Sequence, residues 1–436
     1  LKVLLDTKIF DYGELKEFLE NILPQDACLF HKGINDKSEM EIRNYVMSLV
    51  RETYGSFGFT EIETPVVEHI ENLCSNQGGE NEKLIFKILK RGEKLDIANA
   101  KESNDLSDSG LRYDLTLPLS RYYANHANEL PSPFKALQMG SVFRADRPQK
   151  GRFRQFTQCD IDILGDGTTL AETELVTATT TLLSKLGFKN FTVRISDRRF
   201  LKAIAASCDF DEDNWDSIFI ILDKMDKIGI EGVRDELLKS GFAERSVNKC
   251  IELFSAGTGD VDEIQTLSEK LGDSLPGGTA DSLITIINNV NATKTGEFSV
   301  KFDPTLVRGM SYYTGTIFEI EIAEFGSSIA GGGRYDGMVG KFTGNNVPAC
   351  GFSIGFERII TMLLDADFKV PAKGNKIAFL LDKKLSGEAL SEIMKEAAKL
   401  RTEGKTVLVS QMMKNKKFQK DNLEKSGYVE IKDFYA

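Results

Sequence analysis

The sequence predicts a mixed α/β fold. Its parts are an antiparallel sheet flanked by helices, a helical insertion, and a small C-terminal α/β module with a parallel sheet. Three observations predict it. Ser141 to Gly165 reads as two strands joined by a cationic loop. In the second strand Gln158, Asp160 and Asp162 alternate with Cys159, Ile161 and Ile163, the period of a strand with two unlike faces. From about Leu201 to Lys294 helical segments take over, separated by Gly229, Gly241, Gly257 and Gly278. Beyond Lys376, strand and helix patterns alternate, as parallel pairing requires.

At 436 residues the chain is expected to hold two to four domains, and 41% hydrophobic with 28% charged residues fits a globular protein. No apolar run reaches the roughly 18 to 20 residues of a membrane span. Asp6, Lys8 and Asp11 interrupt the first twelve residues, which argues against a signal peptide. Six scattered cysteines without a CxxC pair, and only three histidines, argue for reduced thiols in a cytoplasmic protein and against a zinc or histidine-based centre. The net charge is −11, yet Lys373 to Ala436 carries 14 Lys+Arg against 9 Asp+Glu, so a basic module follows an acidic body. That distribution allows local contact with a polyanion.

In chain order, Lys2 to Leu23 reads as a short strand or turn and an amphipathic helix ending near Pro24. Met40, Ile42, Val46, Leu49, Val50 and Tyr54 recur at helical spacing, and Gly55 and Gly58 end that helix. Phe59 to Pro65 is expected as a strand closed by proline. Lys83 to Ile97 is expected as a hairpin turning at Arg91-Gly92, and Ala98 to Ser109 as a polar linker. Leu111 to Pro118 alternates, with Arg112, Asp114 and Thr116 on one face, and Pro118 suits the first turn of a helix. Thr168 to Leu186 predicts a helix and Phe191 to Ser196 a strand. After the insertion, strands resume at Glu297 to Phe302 and Ile317 to Ile322. Ser327 to Gly337 reads as a glycine-rich turn, and Cys350 to Ile359 as a strand running into a helix. A linker at Pro371 to Asn375 precedes strands at 376–381, 406–410 and 428–431 and helices at 386–403 and 416–425.

Four cations crowd the loop of the opening hairpin: Arg147, Lys150, Arg152 and Arg154. A solvated hairpin is the ordinary alternative to a polyphosphate or nucleic-acid partner. Arg144, Arg308, Arg334 and Arg358 stand at strand ends or in glycine-rich turns, where each is a candidate anion ligand or an ordinary salt-bridge former. Gly331-Gly332-Gly333 lacks the Gly-Lys-Ser/Thr of a Walker loop and reads as backbone that packs close to a ligand or a neighbouring strand. Cations and carboxylates on one antiparallel sheet suggest transfer chemistry on a phosphate-activated acid.

These stretches carry a resemblance. The helix and strand ending at Pro65, FRADRPQKGRFRQFTQCDIDILG and GFSIGFERI resemble the three motifs of class II aminoacyl-tRNA synthetases. LVRGMSYYTGTIFE and AGGGRYDG are similar to stretches particular to the histidyl-tRNA synthetase family. The similarity runs from about Lys32 to Leu381. It implies a catalytic core at 32–200 and 295–368, an insertion at 201–294, an anticodon-binding-like domain at 375–436, and an N-terminal extension before residue 32.

The resemblance also implies a reaction: L-histidine is activated with ATP and Mg2+ and transferred to tRNA(His) by a cytoplasmic homodimer. By the same resemblance Arg144, Arg308 and Gln158 are catalytic, and Arg144, Arg152 and Arg358 bind ATP. Asp114, Thr116, Gln158, Asp162, Arg308, Tyr312, Tyr313 and Tyr335 bind histidine, and Gln149 and Arg152 meet the tRNA acceptor end. No residue is assigned to magnesium. Ser311 stands where many members have aspartate, and the C-terminal module is expected to lack the last helix and strand of the usual domain. The alternative within the same resemblance is the non-catalytic, histidine-sensing regulatory subunit of ATP phosphoribosyltransferase.

Overall fold

The computed structural model describes residues 37–74, 84–101, 103–146, 153–255, 259–307, 313–323, 326–371 and 376–436. The described residues through Asp367 form one compact unit and those from Phe368 a second. In chain order the strands of the first unit are β1 (Thr60–Glu61), β2 (Val67–His69), β3 (Lys87–Leu89), β4 (Ser107–Leu111), β5 (Phe134–Phe143) and β6 (Gln155–Leu164). Then come β7 (Phe191–Asp197), β8 (Phe298–Phe302), β9 (Thr316–Ile322), β10 (Ser327–Arg334) and β11 (Ala349–Ile354).

Eight of these make one sheet in the order β1-β5-β6-β11-β10-β9-β7-β8. The outermost pairings, β1 with β5 and β7 with β8, are parallel, and the ones between are antiparallel. The large sheet is therefore mostly antiparallel, with helices packed against it. The helix Lys37–Ser56 buries Ile42, Val46, Val50 and Tyr54, one apolar stripe at helical spacing. Arg43 leaves that stripe to form a two-pronged bond with Glu357 at 2.7 and 2.8 Å. Glu357 also accepts from the Thr157 backbone N–H on β6. One buried carboxylate thus ties the first described helix, the second strand of the opening hairpin and the helix Phe356–Asp365 together.

The opening hairpin forms as expected, with β5 and β6 pairing from Phe134 opposite Leu164 to Phe143 opposite Gln155. Its alternation misleads in one respect. From Cys159 to Leu164 every residue of β6 is buried, so the aspartate face is interior. The helix Thr169–Lys185 starts at Thr168, whose side chain accepts from Leu170 N–H.

Four expectations need correction. The strand before Pro65 is only Thr60–Glu61, since proline and the turn to β2 end its pairing early. Lys87–Leu89 does not hairpin with residues near Ile97. It pairs with β4, inside and beyond the presumed linker, and Gly92–Lys94 is a single 3-10 turn. Arg112 to Leu115 is irregular rather than strand, and the helix begins at Thr116, with Pro118 in its first turn. The tract from Ser327 is no turn but β10, an interior strand between β9 and β11.

Between β7 and β8 lie the helices Arg198–Ser207, Trp215–Leu222, Met225–Lys239, Glu244–Phe254, Val261–Leu271 and Thr279–Ala292. Gly229, at φ 70°, breaks the third of these. The second unit holds β12 (Lys376–Leu381), β13 (Thr406–Gln411) and β14 (Tyr428–Phe434), all parallel in the order β13-β12-β14. The helices Gly387–Thr402 and Lys416–Lys425 connect them, and Ile377, Phe379, Ile393 and Ala397 form the core. Among the described residues no helix is long and apolar enough to cross a membrane, the cysteines are free, and no three His, Cys, Asp or Glu side chains gather as a metal site.

Candidate active site

The middle of the large sheet opens into a cavity because two of its strands are short of side chains. Gly331, Gly332 and Gly351 line the cavity beside Asp160, Asp162 and Ser353. Packing requires the glycines: a Cβ on Gly351 would collide with Asp162 Oδ1, and one on Gly332 with the Gly351 carbonyl. Thr116, at the start of its helix, and the aromatic rings of Tyr313 and Tyr335 close the other walls.

Strand parity places the polar groups. Asp162 faces Gly351 and Asp160 faces Ser353 in the β6–β11 register, with Gln158 next along the same face. The Tyr335 hydroxyl donates to Asp162 Oδ1 at 2.6 Å, while Asp162 Oδ2 is buried with no partner among the described residues. Gln158 Oε1 is likewise buried without a partner. Two buried acceptors left open on one strand face are costly unless a ligand supplies the donors.

Three carboxyls meet here. Burial pushes Asp162 up to about 7, with the Tyr335 bond pulling the other way and Asp114 adding to the rise. Burial also raises Asp160 well above the usual range, as do the charges of Asp162 and Asp114, while the Ser353 bond and Arg144 oppose it. Asp114 is raised by burial, against the Leu117 N–H, which it accepts at 3.1 Å, and against Arg144. Burial penalises each negative charge, so the group of acids is poised to accept a cation.

Arg144 stands where β5 ends. Its Nε donates to the Tyr113 carbonyl at 2.9 Å, and its guanidinium lies 5.1 Å from the centre of the Phe156 ring. A planar fork held at its base is suited to orienting a phosphate or carboxylate.

The structure thus gathers Thr116, Asp162, Tyr313 and Tyr335 around one cavity, with Gln158, Asp114 and Arg144 beside it. Arg358 is not among the cavity's lining residues; its Nη1 donates to the Ser328 carbonyl. Arg334 is an ordinary ion pair, forked onto Glu172 at 2.7 Å on both prongs and bonded to the Asp166 and Thr168 carbonyls. Arg308, Tyr312, Gln149 and Arg152 lie outside the described residues. Asp160 and Ser353 were missed as site residues, although the alternation of β6 already put Asp160 on the face of Gln158 and Asp162.

The family model described as histidyl-tRNA synthetase matches residues 33–359. The chain belongs to the histidyl-tRNA synthetase family. It is similar to the histidine–tRNA ligase of Leifsonia xyli subsp. xyli, 44% identical over 361 residues that cover 76% of this chain and 79% of the relative. The histidine–tRNA ligase of Porphyromonas gingivalis is 36% identical over 401 residues, 88% of this chain and 87% of the relative. Among solved structures, the histidyl-tRNA synthetase from Nostoc sp. PCC 7120 superposes with a TM-score of 0.75 at 29% identity, covering 89% of this chain and 87% of its own. A Bacillus halodurans protein described as an ATP phosphoribosyltransferase regulatory subunit/histidyl-tRNA synthetase has a TM-score of 0.76 at 20% identity. It covers 95% of this chain and 99% of its own, and it shares the fold.

Proposed function

We propose that this chain is a histidine–tRNA ligase, activating L-histidine with ATP and passing it to the 3′ end of tRNA(His). The observation that carries the reading is the pair of open buried acceptors, Asp162 Oδ2 and Gln158 Oε1, among three buried acids. Histidine brings what they lack: an ammonium group with three N–H donors and a ring N–H. A site built to hydrogen-bond a polar side chain rejects analogues that leave its groups unpaired. Asp162 with Tyr335 would take the imidazole, and Asp114 with Thr116 the ammonium end.

In the first step a histidine carboxylate oxygen attacks the α-phosphorus of ATP. The new C–O–P linkage forms as the bond to pyrophosphate breaks, leaving histidyl-adenylate. Two anions approach each other, so a fixed guanidinium at Arg144 lowers the barrier; Arg308 would share this task. In the second step a ribose hydroxyl of the tRNA terminus attacks the carbonyl carbon and AMP leaves. Magnesium, which the family implies, would arrive with the phosphates of ATP, and no step here is routed through it.

Gln149 and Arg152 would meet the acceptor end. The second unit would meet the tRNA through a face where Lys416 lies 4.4 Å over the Tyr435 ring and Phe418 and Met413 are exposed. The chain would act as a cytoplasmic homodimer, an assembly that would cover the exposed Val67 and Leu89. Charging of tRNA(His) with labelled histidine tests the proposal: histidine should be incorporated to the exclusion of other amino acids. Purified full-length chain that binds histidine but charges no tRNA would overturn it.

A further inference from the structure

Strand β11 ends at Ile354, and its pairing with β6 stops there, opposite Cys159. Residues 155–158 of β6 keep β5 on one edge and, among the described residues, have no strand on the other. A backbone N–H at such an edge needs an acceptor. The Thr157 N–H finds one in Glu357 Oε1 at 3.1 Å, so a side-chain carboxylate stands in for the next strand. That carboxylate is itself fixed. Arg43 grips its two oxygens at 2.7 and 2.8 Å and lies 4.9 Å over the Phe356 ring, and both members of the pair are buried. The residues beside the held N–H face the reaction. The ring of Phe156, next to Thr157, lies 5.1 Å from the Arg144 guanidinium, and Arg358 follows Glu357 in the first turn of the helix Phe356–Asp365. A shift of β6 at Thr157 therefore moves the ring against which Arg144 rests.

We propose that Arg43 and Glu357 are positioning residues for the ATP half of the site: they replace a strand at the open edge of β6 and so set the Arg144 guanidinium against Phe156. The inference rests on the histidine-activating reading and adds to it two residues that touch no substrate. The acceptor oxygen on Glu357 does the positioning, and Arg43 holds that oxygen in place.

Paired variants of the full chain separate positioning from plain stability. Arg43→Met/Glu357→Met removes the acceptor and the charges together, and an apolar pair of similar volume fills the place of a buried ion pair with little loss of stability. Arg43→Gln/Glu357→Gln removes the charges but keeps a carbonyl oxygen for the Thr157 N–H. Histidine-dependent pyrophosphate exchange at varied ATP reads the ATP half of the site, calorimetry with L-histidine reads the other half, and urea denaturation reads the fold. The Met pair should unfold near the wild-type urea concentration, bind histidine unchanged, and lose about ten- to a hundredfold in kcat/KM for ATP, as small misplacements of reacting groups do. The Gln pair should recover most of that loss. A Met pair with wild-type kcat/KM for ATP would overturn the proposal. So would a Met pair that weakens histidine and ATP alike, because general damage does not choose between them. A folded Gln pair with strongly impaired ATP kinetics would overturn it too, even where the Met pair fails to fold. Wild-type protein that shows no histidine-dependent exchange would defeat the functional reading itself, and this inference with it.

Discussion

At the scale of single residues, the buried carboxyl of Asp162 costs stability, in exchange for the recognition proposed for it. Asp162 is ionised in the unfolded chain above about pH 4 but in the fold only above about 7, because burial penalises its charge. Its contribution to stability is fully present below the unfolded value and is lost as the pH rises through the folded one. Asp162→Asn removes that loss while keeping an acceptor for Tyr335. The variant should match the wild type near pH 4 and exceed it at pH 8 by at most ~4 kcal/mol, at 1.36 kcal/mol per pK unit. It should also bind histidine poorly, and urea denaturation at several pH values reads the stability difference directly. A variant no more stable than wild type at pH 8 would show that the carboxylate is not under strain. Arg144 is proposed to act on the reaction instead. Arg144→Ala should lower kcat for adenylation by about 10²–10³, the usual effect of losing one preorganised donor, with histidine affinity little changed. Single-turnover formation of the adenylate measures that.

At the scale of elements, the buried Arg43–Glu357 fork joins the helix Lys37–Ser56 to the helix that follows β11. Arg43→Met strands Glu357 without its partner and should cost about 3–5 kcal/mol in urea denaturation. A loss below 1 kcal/mol would mean that the helix is held by its apolar stripe alone. Elements legible in the sequence share one property: their signal is local. The helix expected from Thr168 to Leu186 has those two residues as its caps, and Lys416–Lys425 has the expected limits. Elements that were misread take their identity from distant partners. β10 is a strand because β9 and β11 flank it, yet its three glycines carry no side-chain alternation to reveal that. β3 finds its partner in β4 across a stretch whose polarity suggested a linker. Asp160 was not singled out because nothing local shows that the aspartate face of β6 is buried and lines a cavity. The arginines illustrate the same limit: sequence context treated Arg144 and Arg334 alike, and only the position of Glu172 separates them.

At the scale of the whole molecule, charge is divided by task. The segment from Lys373 carries an excess of 5 positive charges within a chain of net −11, so the body that gathers the buried acids is strongly negative. A basic module suits a polyanion such as tRNA. The central claim is that the cavity between β6, β10 and β11 activates histidine. Amino-acid-dependent exchange of pyrophosphate with ATP tests it most directly, because it reads adenylate formation without needing tRNA. The account predicts rapid exchange with L-histidine, none with other amino acids, and strong loss in Arg144→Ala. Histidine binding with no exchange in the intact wild-type chain would contradict it.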